Sequence, residues 1–190
     1  MPPATFQEFR SELLDLCLAS IRHGVETGQR IEVDTQRFDP ALQVWRATFV
    51  TLLEYGGLRG CIGSLNAMRP LVVDLARNAY AAAFSDPRFE RVEMNEIDTL
   101  EIHISILSEP EAMSFRSESD LLSQLQPGID GLVLEDHGQQ GTFLPSVWES
   151  LPDPRDFLNQ LKRKAGLAED YWSKGIKISR YTTEIICAPE

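Results

Sequence analysis

The sequence predicts an α+β fold. Segments with helical or strand periodicity follow one another as helix, hairpin, helix, strand, helix, hairpin, helix and strand. This order lacks the regular strand–helix alternation of a doubly wound parallel sheet, and hairpins join antiparallel strands. The composition, with 43% hydrophobic and 25% charged residues, is that of an ordinary globular protein. We therefore expect a single domain over residues 1–190, within which two lobes are not separable from the sequence.

The first predicted element is a helix from Thr5 to about His23. Its apolar residues recur at helical spacing. Thr5, with Glu8 three residues later, matches a capping box, and Gly24 is typical of a helix stop. We therefore expect the helix to end at Gly24.

A hairpin and a second helix are predicted next. Residues 44–53 alternate as a strand, Gly56-Gly57 supply the turn chemistry, and residues 58–65 return as the partner strand. Pro70 then opens a helix whose apolar stripe continues to Phe84.

The second half of the chain contains shorter predicted elements. They are a strand at 100–107, a helix at 119–125, a hairpin of 129–134 and 142–144 around Asp136-His137-Gly138, a helix at 154–165 and a strand at 176–186. Trp148 and Trp172 are predicted to be packing anchors within this half.

The charge balance disfavours nucleic acid as a partner. The formal net charge is −11, whereas broad binding to nucleic acid needs many Lys and Arg side chains facing phosphates. The basic run Lys162-Arg163-Lys164 lies in a predicted helix, and we interpret it as a solvated helix end.

Cysteine usage and the N-terminus favour a cytoplasmic location. Cys17, Cys61 and Cys187 are widely separated and form no Cys-x-x-Cys pair, so a zinc knuckle or dithiol motif is not expected. The N-terminal residues lack the basic and apolar stretches of a secretory signal. No run of about 18 apolar residues predicts a membrane span. We expect neither a metal nor another cofactor.

The hexapeptide Leu58-Arg59-Gly60-Cys61-Ile62-Gly63 is the strongest candidate functional segment. Arg59 lies two residues from Cys61, so on a regular strand their side chains share a face and the guanidinium can stabilise a thiolate. Cys61 is therefore the candidate catalytic residue, with His103 or His137 as the candidate base. The alternatives are that Cys61 is a small buried hydrophobic residue or that it contacts a ligand.

The candidate ligand-binding residues are Arg59, Gly60, Gly63, Arg88 and His103. The two glycines indicate a bulge or a close approach of the backbone. Both arginines lie at glycine- or proline-shaped breaks, where a pair of guanidinium groups can clamp a carboxylate or phosphate. The alternative for Arg88 is an ion pair with Asp86 or Glu90 that locks the turn.

One face of the predicted strand 100–107 carries Glu101, His103 and Ser105. This row is either an acid–base group, half of a metal site, or the ordinary polar face of a half-exposed antiparallel strand.

Four segments resemble the AMMECR1 family, in the order in which the family has them. They are residues 49–52 leading into the hexapeptide, residues 81–89, residues 104–108, and a series formed by 143–145, 147–148, 157–158 and 164–167. Together they extend over most of the chain, so the resemblance depends on four motifs in register.

The resemblance implies one α+β domain with antiparallel or mixed sheets, flanking helices, and two lobes with a cleft between them. It also implies association with a radical-SAM enzyme and a Memo-like protein in a modification system, with the cleft around the hexapeptide as the working surface. The family brings no settled substrate. The chain is therefore an enzyme or enzyme component, or else a non-catalytic adaptor for a partner protein or a small anionic ligand. Nucleotide or RNA binding is a third interpretation, which the net charge disfavours.

This chain departs from the family pattern in three places. After the segment 86–89, where relatives often carry proline, it has Glu90-Arg91. His103 stands where relatives commonly have another residue, so the resemblance does not make it a family catalytic group. The third departure precedes the strand of the second half. Many relatives carry His-Gly there, where this sequence has Asp130-Gly131. A mechanism that needs a histidine at that position is therefore not expected here.

Overall fold

The computed structural model describes residues 5–188 and divides into two compact units. The first contains the chain up to Leu107 and the segment from Glu184, and the second contains Ser108–Thr183. The helices are α1 (Arg10–Thr27), α2 (Leu71–Phe84), α3 (Glu118–Gln124) and α4 (Pro154–Lys164). The strands are β1 (Thr48–Glu54), β2 (Gly57–Gly63), β3 (Leu100–Leu107), β4 (Glu111–Ala112), β5 (Gly131–Asp136), β6 (Gln139–Phe143), β7 (Lys177–Tyr181) and β8 (Thr183–Ile186).

The first unit is a four-stranded sheet with two helices on one face. The strand order is β2-β1-β3-β8, and β1 is antiparallel to both β2 and β3. Helix α2 packs on β1 and β2, and α1 packs on α2. Strand alternation directs Val50 and Leu52 of β1 into this core, where both are fully buried. The helices and the other strands complete the core with Leu13, Ile21, Leu75, Ile104 and Ile186, among others.

The second unit has its own sheet and its own core. The strand order is β4-β7-β5-β6, with antiparallel pairs throughout. Helix α4 packs on β6 and presents the predicted apolar stripe, in which Phe157 is fully buried. Trp148 stacks on Phe157 with ring centroids 3.7 Å apart and an interplanar angle of 6°. The predicted α+β class with antiparallel sheets and flanking helices is thereby confirmed, as is the packing role of Trp148.

Helix α1 does not stop at Gly24, so that prediction was wrong. The helix continues to Thr27, and Gly28 with φ 70° forms the left-handed cap. Gly24 instead serves packing, because a Cβ at this position would overlap the Phe84 ring of α2. A glycine inside a helix is thus required by a neighbouring element that is remote in sequence.

The predicted capping box at Thr5 and Glu8 is also absent. A single 3₁₀ turn, Phe6–Phe9, precedes α1, and the Thr5 side chain accepts no capping hydrogen bond. The backbone N–H of Glu8 donates to the Thr5 carbonyl at 3.3 Å. The tighter turn satisfies this donor through the backbone, so the hydroxyl is not needed.

Both predicted hairpins are present. The first turns at Tyr55-Gly56, one residue earlier than predicted, with φ of 50° and 76°. The second turns at His137-Gly138, with φ of 46° and 79°. Two successive left-handed residues are typical of the hairpin turn whose twist matches that of the flanking strands.

The single strand predicted at 176–186 is two strands that belong to different sheets. Strand β7 lies in the sheet of the second unit and β8 in the sheet of the first. The break is at Thr182, whose N–H donates to Ser108 Oγ at 2.9 Å and whose carbonyl accepts from Ser108 N–H at 2.9 Å. Periodicity continues across this break and therefore does not reveal it.

Lys162 contradicts the interpretation of the basic run as a solvated helix end. Its side chain is fully buried, and Nζ donates to Glu118 Oε1 at 2.9 Å and to the Glu169 carbonyl at 2.9 Å. A buried ammonium group is stable when it is paired and hydrogen-bonded in this way. Arg163 and Lys164 are exposed, as predicted.

Within residues 5–188, no helix has both the length and the apolar character that crossing a membrane requires.

Candidate functional site

Cys61 lies on the edge strand β2, on the sheet face that points away from the helices. Gly60 faces α2, and successive residues of a strand alternate between faces. The Cys61 thiol is half-buried and forms no disulfide, and its Sγ lies 3.3 Å from Thr51 Oγ1 on β1. Cys17 differs, because complete burial raises the pKa of its thiol far above the usual range. Of these two cysteines, only Cys61 is accessible.

The register of β1 extends this contact into a row of three polar side chains, which we call the thiol row. Thr51 lies opposite Cys61 on β2 and opposite His103 on β3. Paired residues project from the same face and neighbouring strands are about 4.8 Å apart, so the row is about 10 Å long. All three side chains are half-buried. The sheet thus places a hydroxyl between a thiol and an imidazole.

Arg59 does not accompany Cys61 as a regular strand would require. The register between β1 and β2 shifts at Leu52/Leu53, which leaves Arg59 as the extra residue of a β-bulge. Its Nε and Nη2 donate to the two carboxylate oxygens of Glu96 at 2.6 and 3.1 Å, and Nη1 donates to the Glu90 carbonyl at 2.8 Å. The hydrogen bond to Glu96 raises the pKa of Arg59, and the same bond lowers the pKa of Glu96. The guanidinium therefore fastens β2 to the segment before β3.

Asp86 and Arg88 cover the free edge of β2 beside Cys61. The Asp86 carboxylate, whose residue is 5% exposed, accepts from Cys61 N–H at 2.9 Å and from Arg88 Nε and Nη2 at 2.9 and 2.7 Å. Arg88 Nη2 also lies 3.4 Å from the Cys61 carbonyl. The Arg88 guanidinium, more than the amide of Cys61, holds the pKa of Asp86 well below its usual range. The pair thus satisfies edge groups that a partner strand would otherwise occupy.

The two motif glycines are required by close packing. A Cβ on Gly60 would overlap the backbone carbonyl oxygen of Ala82 in α2, and a Cβ on Gly63 would overlap the Phe49 ring on β1. Both expected features, a bulge and a close approach of the backbone, are therefore present in β2.

A buried polar cluster that the sequence did not indicate anchors the end of β2. Asp74 of α2 is fully buried and accepts from Thr48 N–H and Oγ1, from Ser64 Oγ and from Asn78 Nδ2, at 2.8–3.0 Å. Arg69 Nη1 lies 3.4 Å from the same carboxylate. An Asp within an apolar helical stripe, followed four residues later by Asn, is the signal that marks such a cluster.

The first unit therefore gathers Cys61, Thr51 and His103 on one sheet face, with Asp86 and Arg88 at its edge. Thr51 and Asp86 were not predicted as site residues, because strand register and the fold of the turn after α2 bring them to Cys61. The other predicted base, His137, lies in the second unit at a hairpin turn. Among the residues described, no three His, Cys, Asp or Glu side chains form a group that could hold a metal ion.

Comparison with known proteins identifies relatives along most of the chain. The AMMECR1 family model matches residues 14–186. A protein of Methanothermobacter thermautotrophicus is 36% identical over 146 residues, which is 74% of each chain. Protein PH0010 of Pyrococcus horikoshii is 32% identical over 191 residues, covering 94% of this chain and 89% of that one.

The crystal structure of the uncharacterized protein PH0010 from Pyrococcus horikoshii has the same fold. The two structures match with a TM-score of 0.87 over 95% of this chain and 92% of the other. The match includes both units, because each accounts for more than a third of the chain.

Proposed function

Because this chain belongs to the AMMECR1 family, we propose that it is a partner-binding component of a modification system that contains a radical-SAM enzyme and a Memo-like protein. Family relationship is the support for this system. We further propose that residues 1–190 act as one domain and that the protein works in the cytoplasm. The three cysteines, all of them free thiols, support the second of these proposals.

The thiol row is the observation that supports a partner-binding surface on the first unit. Cys61, Thr51 and His103 are half-buried side chains of different chemistry on one rigid sheet face. Next to them the Arg88 side chain is 54% exposed, although it is bonded to Asp86. A partner carrying a carboxylate can therefore meet the Arg88 guanidinium beside a surface of mixed polar groups.

The hydrogen bonds of Arg59 and Arg88 favour a binding role over covalent catalysis, because both guanidinium groups are paired with carboxylates. Arg59 is bound in fork geometry to Glu96, and Arg88 is bound in the same way to Asp86. Neither guanidinium donates a hydrogen bond to Cys61 Sγ among the contacts of the described residues. The Arg88 guanidinium is close enough to Cys61 for a charge interaction, but a thiolate there lacks the hydrogen-bonded cationic partner that would favour a reactive cysteine.

Titration calorimetry with the purified radical-SAM and Memo-like proteins from the same organism tests the proposal. We expect a complex with at least one of them, and His103→Glu should weaken it about tenfold by placing a carboxylate on the thiol row. Arg155→Gln on α4 is the matched control, since it changes one exposed charge in the second unit. Absence of binding to either protein, or equal effects of the two substitutions, contradicts the proposal.

Chemistry at Cys61 is the second candidate, because its thiol is accessible and shares a face with His103. In this case a mild alkylating reagent should modify Cys61 faster than a thiol of the unfolded chain. The rate should depend on His103 and should fall in His103→Gln. A reaction no faster than that of the unfolded protein argues against covalent catalysis and leaves the binding role in place.

A further inference from the structure

The second unit contains a surface cavity with an aromatic wall. Its volume is about 410 Å³, at the lower end of the roughly 300–1,000 Å³ that is usual for small-molecule sites. Phe115 and Trp172 line it, with ring centroids 5.6 Å apart and an interplanar angle of 57°. Met113 and Ile176 add apolar surface. A cavity of this size accommodates a ligand with one planar ring system.

The charge of this cavity is opposite to that of the protein. Its charged lining residues are Arg116 and Lys174, both exposed cations, in a chain with 29 acidic and 18 basic residues. Two other cavities of the same unit each include carboxylates in their lining, with Asp136 in one and Asp130 in the other. The aromatic cavity is therefore the one of these three whose lining favours an anion.

The two cations retain donors for a ligand. In the described part of the chain, neither guanidinium nor ammonium forms an ion pair within 4 Å. Asp120 accepts the backbone N–H of Arg116 at 2.8 Å and is also bonded to Gln124. The guanidinium also contributes to lowering the pKa of Asp120, so the two charges are close, but the side-chain N–H groups have no acceptor in the described contacts.

The Trp172 ring of the aromatic wall lies close to a buried cation. Lys162 Nζ lies 5.8 Å from the centroid of the Trp172 ring and is itself fixed by Glu118 and the Glu169 carbonyl. The paired ammonium group of buried Lys162 thus helps to orient the Trp172 indole ring, against which a ligand would stack. A site whose wall is fixed in advance loses less entropy on binding.

We propose that this cavity binds a small molecule with a planar ring and one anionic group, of the mononucleotide or aromatic carboxylate class. The ring packs against Phe115 and Trp172, and the phosphate or carboxylate is bound by Arg116 and Lys174. The positive lining of the cavity, rather than the net charge of −11, governs binding of such a ligand. The reason is that a ligand of this size contacts only the cavity and not the acidic surface elsewhere. The site lies wholly in the second unit and does not depend on the thiol row.

NMR of the indole N–H groups tests the proposal directly. The chain has three tryptophans, so three signals are expected, and Trp172→Phe assigns the relevant one. Titration with AMP or with 4-hydroxybenzoate should shift the Trp172 signal in a saturable way and leave Trp45 and Trp148 unmoved. Adenosine and inorganic phosphate, each of which supplies half of the chemistry, should bind at least about tenfold more weakly. If neither AMP nor 4-hydroxybenzoate moves the Trp172 signal at millimolar concentration, the proposal is overturned.

Charge variants separate this site from unspecific attraction. Lys174→Gln and Arg116→Gln, both at exposed positions, should each weaken the better probe about tenfold, as expected for loss of a charge-assisted hydrogen bond. Lys177→Gln is the matched control, because it removes an exposed cation that lines a different cavity of the same unit. Equal affinity in all three variants and the parent protein would show that the cations do not bind the ligand.

Discussion

At the scale of single residues, the glycine at position 60 shows how packing limits the motif. Its position lacks room for even a methyl group, because the Ala82 carbonyl of α2 occupies the space. Close contact between the backbones of β2 and α2 therefore helps to fix the position of β2. The same contact positions Cys61, the next residue in the strand. The adjacent bulge then turns Arg59 to Glu96.

Gly60→Ala should lower the free energy of unfolding by about 1–3 kcal/mol, because the strand and helix must move apart. Urea unfolding at neutral pH measures this change. Gly57→Ala in the same strand is the control, since a Cβ there meets only the Glu54 carbonyl at an ordinary 3.4 Å. Equal changes in the two variants would rule out the close approach at Gly60 as the cause.

At the scale of elements, the edge of β2 is closed by side chains rather than by a further strand. Asp86 binds the Cys61 amide and the Arg88 guanidinium from a turn that follows α2 directly. A buried carboxylate with several charge-assisted bonds is costly to disturb, whereas exposed ion pairs contribute little. The strength of this edge therefore depends on one side chain.

Asp86→Ala should destabilise the protein by about 2–3 kcal/mol, since it leaves the Cys61 N–H and a guanidinium without their acceptor. Thermal and urea unfolding at pH 7 measure the loss. The control is Glu169→Ala, which removes a pair with Arg163 whose side chains are 46% and 61% exposed and which should cost less than about 1 kcal/mol. Similar losses in both variants would contradict a special role for Asp86.

Asp86 should also give the stability of the protein a defined dependence on acid. Its folded-state pKa is depressed, chiefly by Arg88, while an unfolded Asp titrates near pH 3.9. The stabilisation is therefore fully present above about pH 5 and is lost as the pH falls below about 4, where the unfolded chain binds a proton first. The difference in unfolding free energy between the parent protein and Asp86→Asn should shrink between pH 5 and pH 2.5. A difference that stays constant over this range excludes ionised Asp86 as its source.

At the scale of the whole molecule, the first unit is interrupted in sequence by the second. The second unit is inserted between β3 and β8, which are neighbours in the sheet of the first unit. Its two ends are joined by hydrogen bonds between Ser108 and Thr182, which lie 74 positions apart. Closing a flexible loop of that length costs roughly 3–4 kcal/mol, so a folded second unit makes the pairing of β3 with β8 easier.

This connectivity predicts that the two cores unfold together. Leu52→Ala in the first core and Leu132→Ala in the second, both at fully buried positions, should each cost about 2–5 kcal/mol. Amide hydrogen exchange should then show reduced protection in β1 and in β5 for either variant. Loss of protection confined to the unit that carries the substitution would contradict a single cooperative domain.

Local patterns were sufficient to predict most of the helices and strands. Alternation and glycine turns located β1, β2 and β3 and both hairpins, because side-chain period and turn geometry are properties of neighbouring residues. The errors at Gly24 and Lys162 have a common reason. Each residue is explained by a partner distant in sequence, Phe84 in one case and Glu118 in the other.

The sequence by itself determined the α+β class, the family and the hexapeptide that places Cys61 on a strand. Only the tertiary structure decided what surrounds that thiol: Thr51 and His103 through strand register, Asp86 through the turn after α2, and Glu96 as the partner that holds Arg59. The physical reason is that periodicity arises from one segment, whereas register, edge closure and ion pairing arise between segments whose sequence separation carries no information about their distance in space.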